Sequence, residues 1–337
     1  MGAVMKIVLL GRHEILYSTF ANLMQNSSHT VVAMITAPAP VEYQKNEQDF
    51  ERLAKQHNIP FLLVKSLNTE AYNFLERFDA DICVSVNWVS VIGEMFISKF
   101  PKGVLNAHFA DLPRYRGNAA TNWALLRGET KIPLSVHFMT PGELDSGDIV
   151  AQKEMQITDE TTIRDIHDFA QTHAPSLFLL AIDRIQNQQG PFLSQAVRAS
   201  EAFRAYPRIP LDSKIDWKQS ARSIHALIRA STKPYLGAYC YYRDQQGHFK
   251  KLHIWKSRIV AESTSDIGIC GHIIKNDPIS GESWIYTGQG ILALQICSDD
   301  EGSEFRPGET WKSIRLRLGI DAEEELYKLL RKGRTDD

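Results

Sequence analysis

The feature that most constrains this chain is the alternation of its first hundred residues between short apolar runs and amphipathic stretches. Residues 6–10 read as a buried strand. Residues 14–25 read as a helix with Leu16, Phe20 and Leu23 on one face, and Thr30–Thr36 as a second strand. A helix over residues 49–57 precedes Pro60-Phe61-Leu62-Leu63-Val64, a third strand. Another over 69–78 leads into Asp81-Ile82-Cys83-Val84-Ser85-Val86, a fourth. Strands and helices in regular order imply an α/β fold with a mostly parallel sheet covered on both faces. Right-handed crossovers make it doubly wound and Rossmann-like.

A dinucleotide fingerprint is missing. After the first strand stands Gly11-Arg12-His13-Glu14, not GxGxxG, and a pyrophosphate needs several glycines to let backbone approach it. Arg12 and His13 still occupy a strand end, where α/β sites lie, and a solvated loop explains them as well. From about residue 204 the pattern changes. Tyr206-Pro207-Arg208-Ile209-Pro210 is a connector, residues 217–230 form one amphipathic helix, and five short β-rich runs follow between residues 237 and 296. Such spacing suggests a small barrel-like (OB-like) or sandwich domain. The expected domains are residues 1–203 and 204–337, the second ending in a helix over 321–331 with Leu326, Leu329 and Leu330 on one side.

Formal net charge is −2, so no global basic field favours nucleic acid or an anionic membrane. Cys83, Cys240, Cys270 and Cys297 lie far apart in apolar or β-type runs, which reads as reduced core thiols. Neither CxxC nor HxxxH suggests a metal. With no targeting or membrane-spanning segment, the expected location is the cytoplasm.

Chemistry concentrates in residues 102–151. In the strand expected there, Asn106 and His108 stand two apart and project from the same face. An amide beside an imidazole offers a donor to an oxyanion and a group that moves a proton. Leu112-Pro113-Arg114-Tyr115-Arg116-Gly117 then makes a rigid turn with two guanidinium groups. Pro141-Gly142-Glu143-Leu144-Asp145-Ser146-Gly147-Asp148 adds three carboxylates. Singly these have ordinary readings: a core histidine, an asparagine capping a turn, an acidic loop, two solvated arginines. Their succession within one α/β half points to a site.

The run VLNAHFADLPRYRGNAATNWALLRGE, with SVHFMTPGELDSGDIVAQ after it, resembles the folate-dependent formyltransferases. That family includes the methionyl-tRNA, glycinamide ribonucleotide and nucleotide-sugar N-formyltransferases. Its signature is N-x-H, a P-[RK]-[YW]-R-G turn and an aspartate in a D-[ST/A]-G loop. All three parts stand here in order, within a resemblance covering roughly residues 3–200. IDWKQSARSIHALIRA, KLHIWKSRIV and GQGILALQI resemble the small C-terminal β-domain of several members. Two stretches depart from the usual pattern, Phe109-Ala110-Asp111 before the proline and Asn118-Ala119-Ala120 after the glycine, and both bear on the acceptor.

The resemblance implies formyl transfer from N10-formyltetrahydrofolate, without a metal, through a tetrahedral intermediate. Asn106 would stabilise the oxyanion, His108 would move protons, and Asp145 would hold His108 or an ordered water. It places the folate against Val86, Asn87, Trp88, Val91 and Ile92, with the loop through Asp145 on the other side. Taken alone, residues 86–92 read rather as a strand end and helix start belonging to the core, and the resemblance reverses that preference.

Arg114, Arg116 and Asn118 are candidates for the acceptor, since guanidinium forks suit phosphate. Residues 37–49, where the tRNA enzymes look basic, hold one lysine against three acids. That favours a nucleotide-linked amino-deoxysugar (dTDP- or UDP-linked) over nucleic acid, and the extra domain disfavours glycinamide ribonucleotide. Sugar members usually serve surface polysaccharide, such as O-antigen, synthesis. Methionyl-tRNA formyltransferase and formyltetrahydrofolate hydrolase are the alternatives, and a non-catalytic binding module would need a broken triad. The tail helix and β-rich domain offer a surface for a homodimer contact.

Overall fold

The computed structural model describes residues 4–40, 43–244, 246–321, 324, 326 and 327. The chain divides into two compact units. One comprises Met1–Ala124, Thr130–Ile157 and Asp165–Pro207; the other comprises Leu125–Glu129, Thr158–Arg164 and Arg208–Asp337.

The first unit is built on β1 (Lys6–Gly11), β2 (Thr30–Thr36), β3 (Phe61–Leu63), β4 (Ile82–Val86), β5 (Val104–Phe109), β6 (Arg116–Gly117), β7 (Lys131–Phe138), β8 (Ile149–Gln156) and β9 (Arg204–Ala205). Seven of these form one sheet in the order β3-β2-β1-β4-β5-β7-β8, while β6 and β9 pair separately. Strands β1 to β5 run parallel, and β7 is antiparallel to both β5 and β8. The doubly wound, mostly parallel layout expected from the alternating pattern is therefore present. Sequence order reverses between β1 and β4, the kind of switch point where α/β folds bind ligands.

Local signals explain the helices α1 (Glu14–Asn26), α2 (Glu47–Gln56) and α3 (Thr69–Leu75). Asn46 and Asp49 form a capping box on α2, and the Asn68 side chain caps α3. At the start of α1, His13 Nδ1 accepts the Ile15 N–H at 3.3 Å. One core cluster joins Val8, Leu10, Cys83 and Val104 of the sheet to Phe74, Phe96 and Phe100. Strands β1 and β4 are apolar almost throughout, as strands covered on both faces must be.

The second unit carries β10 (Ala238–Arg243), β11 (Phe249–Ala261), β12 (Ile273–Asp277), β13 (Glu282–Tyr286), β14 (Ile291–Ser298) and the short β15 (Glu304–Phe305). All neighbours in the order β10-β11-β14-β13-β12 are antiparallel, with β15 added on β14. The segment at Arg317 and Leu318 bridges to His272, just before β12, and to Tyr242 of β10, drawing the sheet's edges together as in a small barrel.

The helix expected over residues 217–230 starts later, at Ala221, and ends at Ser231. Ser220 caps it by accepting from Ser223 N–H, and Trp217 is in the core in a turn of its own, where Asp216 Oδ1 accepts from Lys218 N–H at 3.0 Å. Amphipathic spacing carried past this cap because Trp217 faces the same core as Ile224 and Ile228. Most of the expected tail helix, including Leu329 and Leu330, lies outside the described residues. No helix of the described residues is long and apolar enough to cross a membrane.

Candidate active site

The parallel register of β4 and β5 sets Ser85 beside Asn106, and the antiparallel register of β5 and β7 sets Asn106 opposite His137 and His108 opposite Ser135. Asn106 and His108 therefore leave the sheet on one side, as their spacing requires. The loop after β7 returns over this spot and delivers Asp145.

Asp145 is the hub. Its Oδ2 accepts the Gly117 N–H at 2.9 Å and lies 3.5 Å from His108 Nδ1. Its Oδ1 lies 3.3 Å from Asn106 Nδ2 and 3.4 Å from His137 Nε2. Burial alone would push this carboxyl up. The charges of His108 and His137, the His137 hydrogen bond and the Gly117 N–H overcome that, holding Asp145 well below the usual carboxylate range. The site thus favours the ionised form of one largely buried carboxylate.

His108 Nε2 lies 2.9 Å from the carbonyl oxygen of Tyr115. A carbonyl only accepts, so Nε2 carries the hydrogen and Nδ1 is the nitrogen presented to Asp145. Tyr115 is itself packed with Ala110, Ala120 and Ala205, which fixes the carbonyl in space. His137, fully buried, is oriented the same way: its Nδ1 donates to the Phe138 carbonyl at 2.7 Å, leaving Nε2 3.3 Å from Asn106 Nδ2.

The other residues expected at the site divide into two groups. Val86 is buried at the end of β4, Asn87 is exposed with φ 50° and its Nδ2 reaches Tyr43 Oη at 3.3 Å, and Val91 is 52% exposed while Ile92 is buried. Trp88 packs on the core cluster of β1 and β4, and its indole N–H is buried without a partner. Gly142 N–H donates to the Ile92 carbonyl at 3.3 Å, so the loop through Asp145 begins against this same segment.

On the acceptor side, Arg114 is drawn to Asp111 at 3.2 Å and lies over the Tyr115 ring. Arg116 places Nε and Nη2 on Gln195 Oε1 at 3.0 and 2.7 Å. Asn118 is exposed, with its backbone N–H on the Ala205 carbonyl at 3.0 Å.

Sequence reasoning missed His137, Gln195 and Arg198. His137 had a signal, a polar residue inside the apolar run of β7. Gln195 and Arg198 had none, since they sit in the polar 3-10 segment Gln195–Glu201. Arg198 pairs with both oxygens of Asp111 at 2.9 and 3.1 Å and so secures the turn that follows His108. Among the described residues, no group of three or more His, Cys, Asp and Glu side chains is placed to hold a metal ion.

An amide, an imidazole and a buried carboxylate meeting at a strand end suit acyl transfer to a nucleophile. Among known proteins, the chain is 31% identical over 271 residues to the bifunctional polymyxin resistance protein ArnA of Wigglesworthia glossinidia brevipalpis. That match covers 77% of this chain but only 38% of ArnA, so the chain spans well under half of that relative. It is 30% identical over 298 residues to methionyl-tRNA formyltransferase of Alkaliphilus oremlandii (strain OhILAs), covering 86% of this chain and 91% of that one.

Among solved structures, WlaRD, a sugar 3N-formyl transferase determined with dTDP and 5-N-formyl-THF, is similar with a TM-score of 0.63. The identity is 21%, over 90% of this chain and 100% of that one. An N-formyltransferase from Helicobacter canadensis, in complex with folinic acid and dTDP-3-aminofucose, is similar with a TM-score of 0.62. The identity is 20%, over 86% of this chain and 98% of that one. At such identities the likeness is one of fold. Residues 209–315 match the family model described as Formyl transferase, C-terminal domain. Residues 5–182, more than half of the 337, match the model described as Formyl transferase, and the chain belongs to that family.

Proposed function

We propose that this formyltransferase moves a formyl group from N10-formyltetrahydrofolate to the amine of a nucleotide-linked amino-deoxysugar, dTDP- or UDP-linked. The observation that carries the reading is the meeting of Asn106, His108 and His137 on the two oxygens of Asp145. The amine nitrogen attacks the formyl carbon, the carbonyl becomes an oxyanion, and the bond to N10 then breaks. A proton leaves the amine and one reaches N10, giving a formamide and tetrahydrofolate.

Asn106 supplies the uncharged donor for the oxyanion. Its N–H contact to Asp145 Oδ1, at 3.3 Å, is long and readily exchanged for a stronger acceptor. His108 moves protons through Nδ1, because Nε2 is tied to Tyr115. Asp145 offsets the charge of His108 while it holds the extra proton.

For the donor, the exposed Val89 and Val91 suit a flat heterocycle, alongside Val86, Asn87 and Trp88. Arg114, Arg116 and Asn118 are assigned the diphosphate and sugar side. Asp111 and Gln195 hold the two guanidinium groups and so orient their remaining N–H groups.

The acceptor assignment draws on residues 37–49, with one lysine and three acids, a poor surface for tRNA phosphates. The sugar N-formyltransferases of the same fold support it. Methionyl-tRNA is the second reading, favoured by the relative from Alkaliphilus oremlandii. The test offers N10-formyltetrahydrofolate with dTDP- and UDP-linked amino-deoxysugars, methionyl-tRNA and glycinamide ribonucleotide, and looks by mass spectrometry for the formylated acceptor. A formylated sugar nucleotide is expected. Formylated tRNA would replace the sugar reading, and formate released without a formylated acceptor would make the protein a hydrolase.

A further inference from the structure

We propose that Gln195 is a positioning residue for the transfer, its carboxamide locking the loop of Asp145 so that the carboxylate stays at His108. Gln195 lies 50 residues beyond Asp145, on the 3-10 segment, and is only 3% exposed. Every polar atom of its side chain is used. Oε1 accepts twice from Arg116, at 3.0 and 2.7 Å. Nε2 donates to the carbonyl oxygens of Asp145 at 2.8 Å and Gly147 at 2.7 Å. Arg116 only donates, so it forces the amide oxygen to its side and turns both N–H groups toward the loop. Residue identity is thereby specified: an acceptor at that end would face two carbonyl oxygens.

The loop needs such a lock. Asp145 has φ 49°, a left-handed conformation that is unfavourable for a non-glycine residue. Gly147 is pressed against the Phe138 backbone, where a Cβ would stand 2.1 Å from the carbonyl oxygen. Gln195 holds the carbonyls at both ends of this turn, and the Gly117 N–H holds the carboxylate. Gly117 follows Arg116 directly, so Gln195 ties together the two segments that define where Asp145 Oδ2 lies relative to His108. A displacement of an ångström at such a group typically lowers turnover about 100-fold.

The inference rests on the transfer reading above, and its test separates the two. In Gln195→Glu, the pair with Arg116 persists with added charge, while the donors to the loop are lost. Gln195→Met removes both and serves if the first variant does not fold. The expected result in steady-state transfer assays is a turnover 10- to 100-fold below wild type, with KM for the formyl donor within about threefold. The turnover–pH profile should shift as the carboxylate moves off His108. Hydrogen exchange should quicken in the loop around residues 140–148 and not in the sheet.

Wild-type turnover with an unmoved profile would overturn the inference. So would reduced turnover that tracks a lower thermal midpoint with the profile unmoved, since that marks a merely structural role. If the wild-type protein formylates no acceptor, the transfer reading fails by itself. Exchange in the loop then decides, and unchanged protection in both variants would remove the lock.

Discussion

The backbone N–H of Gly117 donates to Asp145 Oδ2 at 2.9 Å, across 28 residues of sequence. In the proposed transfer, the P-R-Y-R-G turn therefore serves the acid–base group as well as the acceptor. Gly117 sits at φ 105°, and a Cβ there would stand 2.7 Å from the Ala205 carbonyl oxygen. Gly117→Ala should lower stability by about 1–3 kcal/mol through strain and displacement of β9. Turnover per folded molecule should fall as well, because the N–H moves off the carboxylate. Urea denaturation beside an assay at matched folded fraction checks this, and an unchanged midpoint with unchanged turnover would sink it.

Replacing Asp145 by Asn keeps the shape and removes the charge. Turnover should drop about 10²- to 10⁴-fold, the usual range for a group that supports a proton-transferring histidine. Stability gives a second readout. Asp145 is held below its unfolded value of 3.8, so the folded form prefers the ionised group. That contribution is complete above the unfolded value and is lost as pH falls through the folded one. The stability gap between wild type and Asp145→Asn should stay level above about pH 5 and narrow in more acidic solution. A gap that does not narrow below pH 4 would contradict the assignment of charge.

Much of the first unit was legible because parallel strands and their helices write themselves in short-range patterns. The apolar runs at Lys6–Gly11 and Ile82–Val86, and the caps at Asn46 and Asn68, need no distant partner to be recognised. Asn106 and His108 were visible through strand alternation, while the loop alone offered Glu143, Asp145 and Asp148 and the family resemblance singled out Asp145.

What stayed hidden depends on register and on return contacts. His137 meets Asn106 only because β5 and β7 pair antiparallel with those two residues opposite. Gln195 acts across 50 residues to Asp145, in a stretch whose composition resembles any polar connector. The two arginines looked like free phosphate ligands, and the partners Asp111 and Gln195 that orient them could be named only from the fold.

His137 should be coupled to Asp145 rather than merely adjacent to it. Its Nδ1 is committed to the Phe138 carbonyl, and Nε2 faces both Asn106 and Asp145. His137→Leu leaves that buried carbonyl unpaired, a loss of about 1–3 kcal/mol. A double-mutant cycle with Asp145→Asn should give a coupling of about 0.5–3 kcal/mol, as for residues within one hydrogen-bonded network. Strictly additive losses would mean that the contact between His137 and Asp145 carries no energy.

The second unit contains a pH-sensitive element of its own. His225 is buried between Ser257 Oγ, 2.9 Å from Nδ1, and the Asp159 carbonyl, 2.7 Å from Nε2. Beside it, Arg229 donates to the carbonyls of Thr158 and Thr161 at 3.0 and 2.8 Å, so both side chains hold the segment Thr158–Arg164. Burial pushes His225 below its ordinary 6.5; the Asp159 carbonyl opposes this and the Arg229 charge adds to it. The unfolded chain therefore takes up a proton below 6.5 that the folded chain resists. The stabilisation is complete above that pH and is lost as pH falls through the folded value. Between pH 7 and pH 5.5 the unfolding midpoint of wild type should fall more steeply than that of His225→Gln. The variant should be weaker at pH 7, having lost a buried contact worth about 1 kcal/mol. Parallel midpoint curves would show that His225 titrates alike in the folded and unfolded chains, and the segment's hold would then be insensitive to acid.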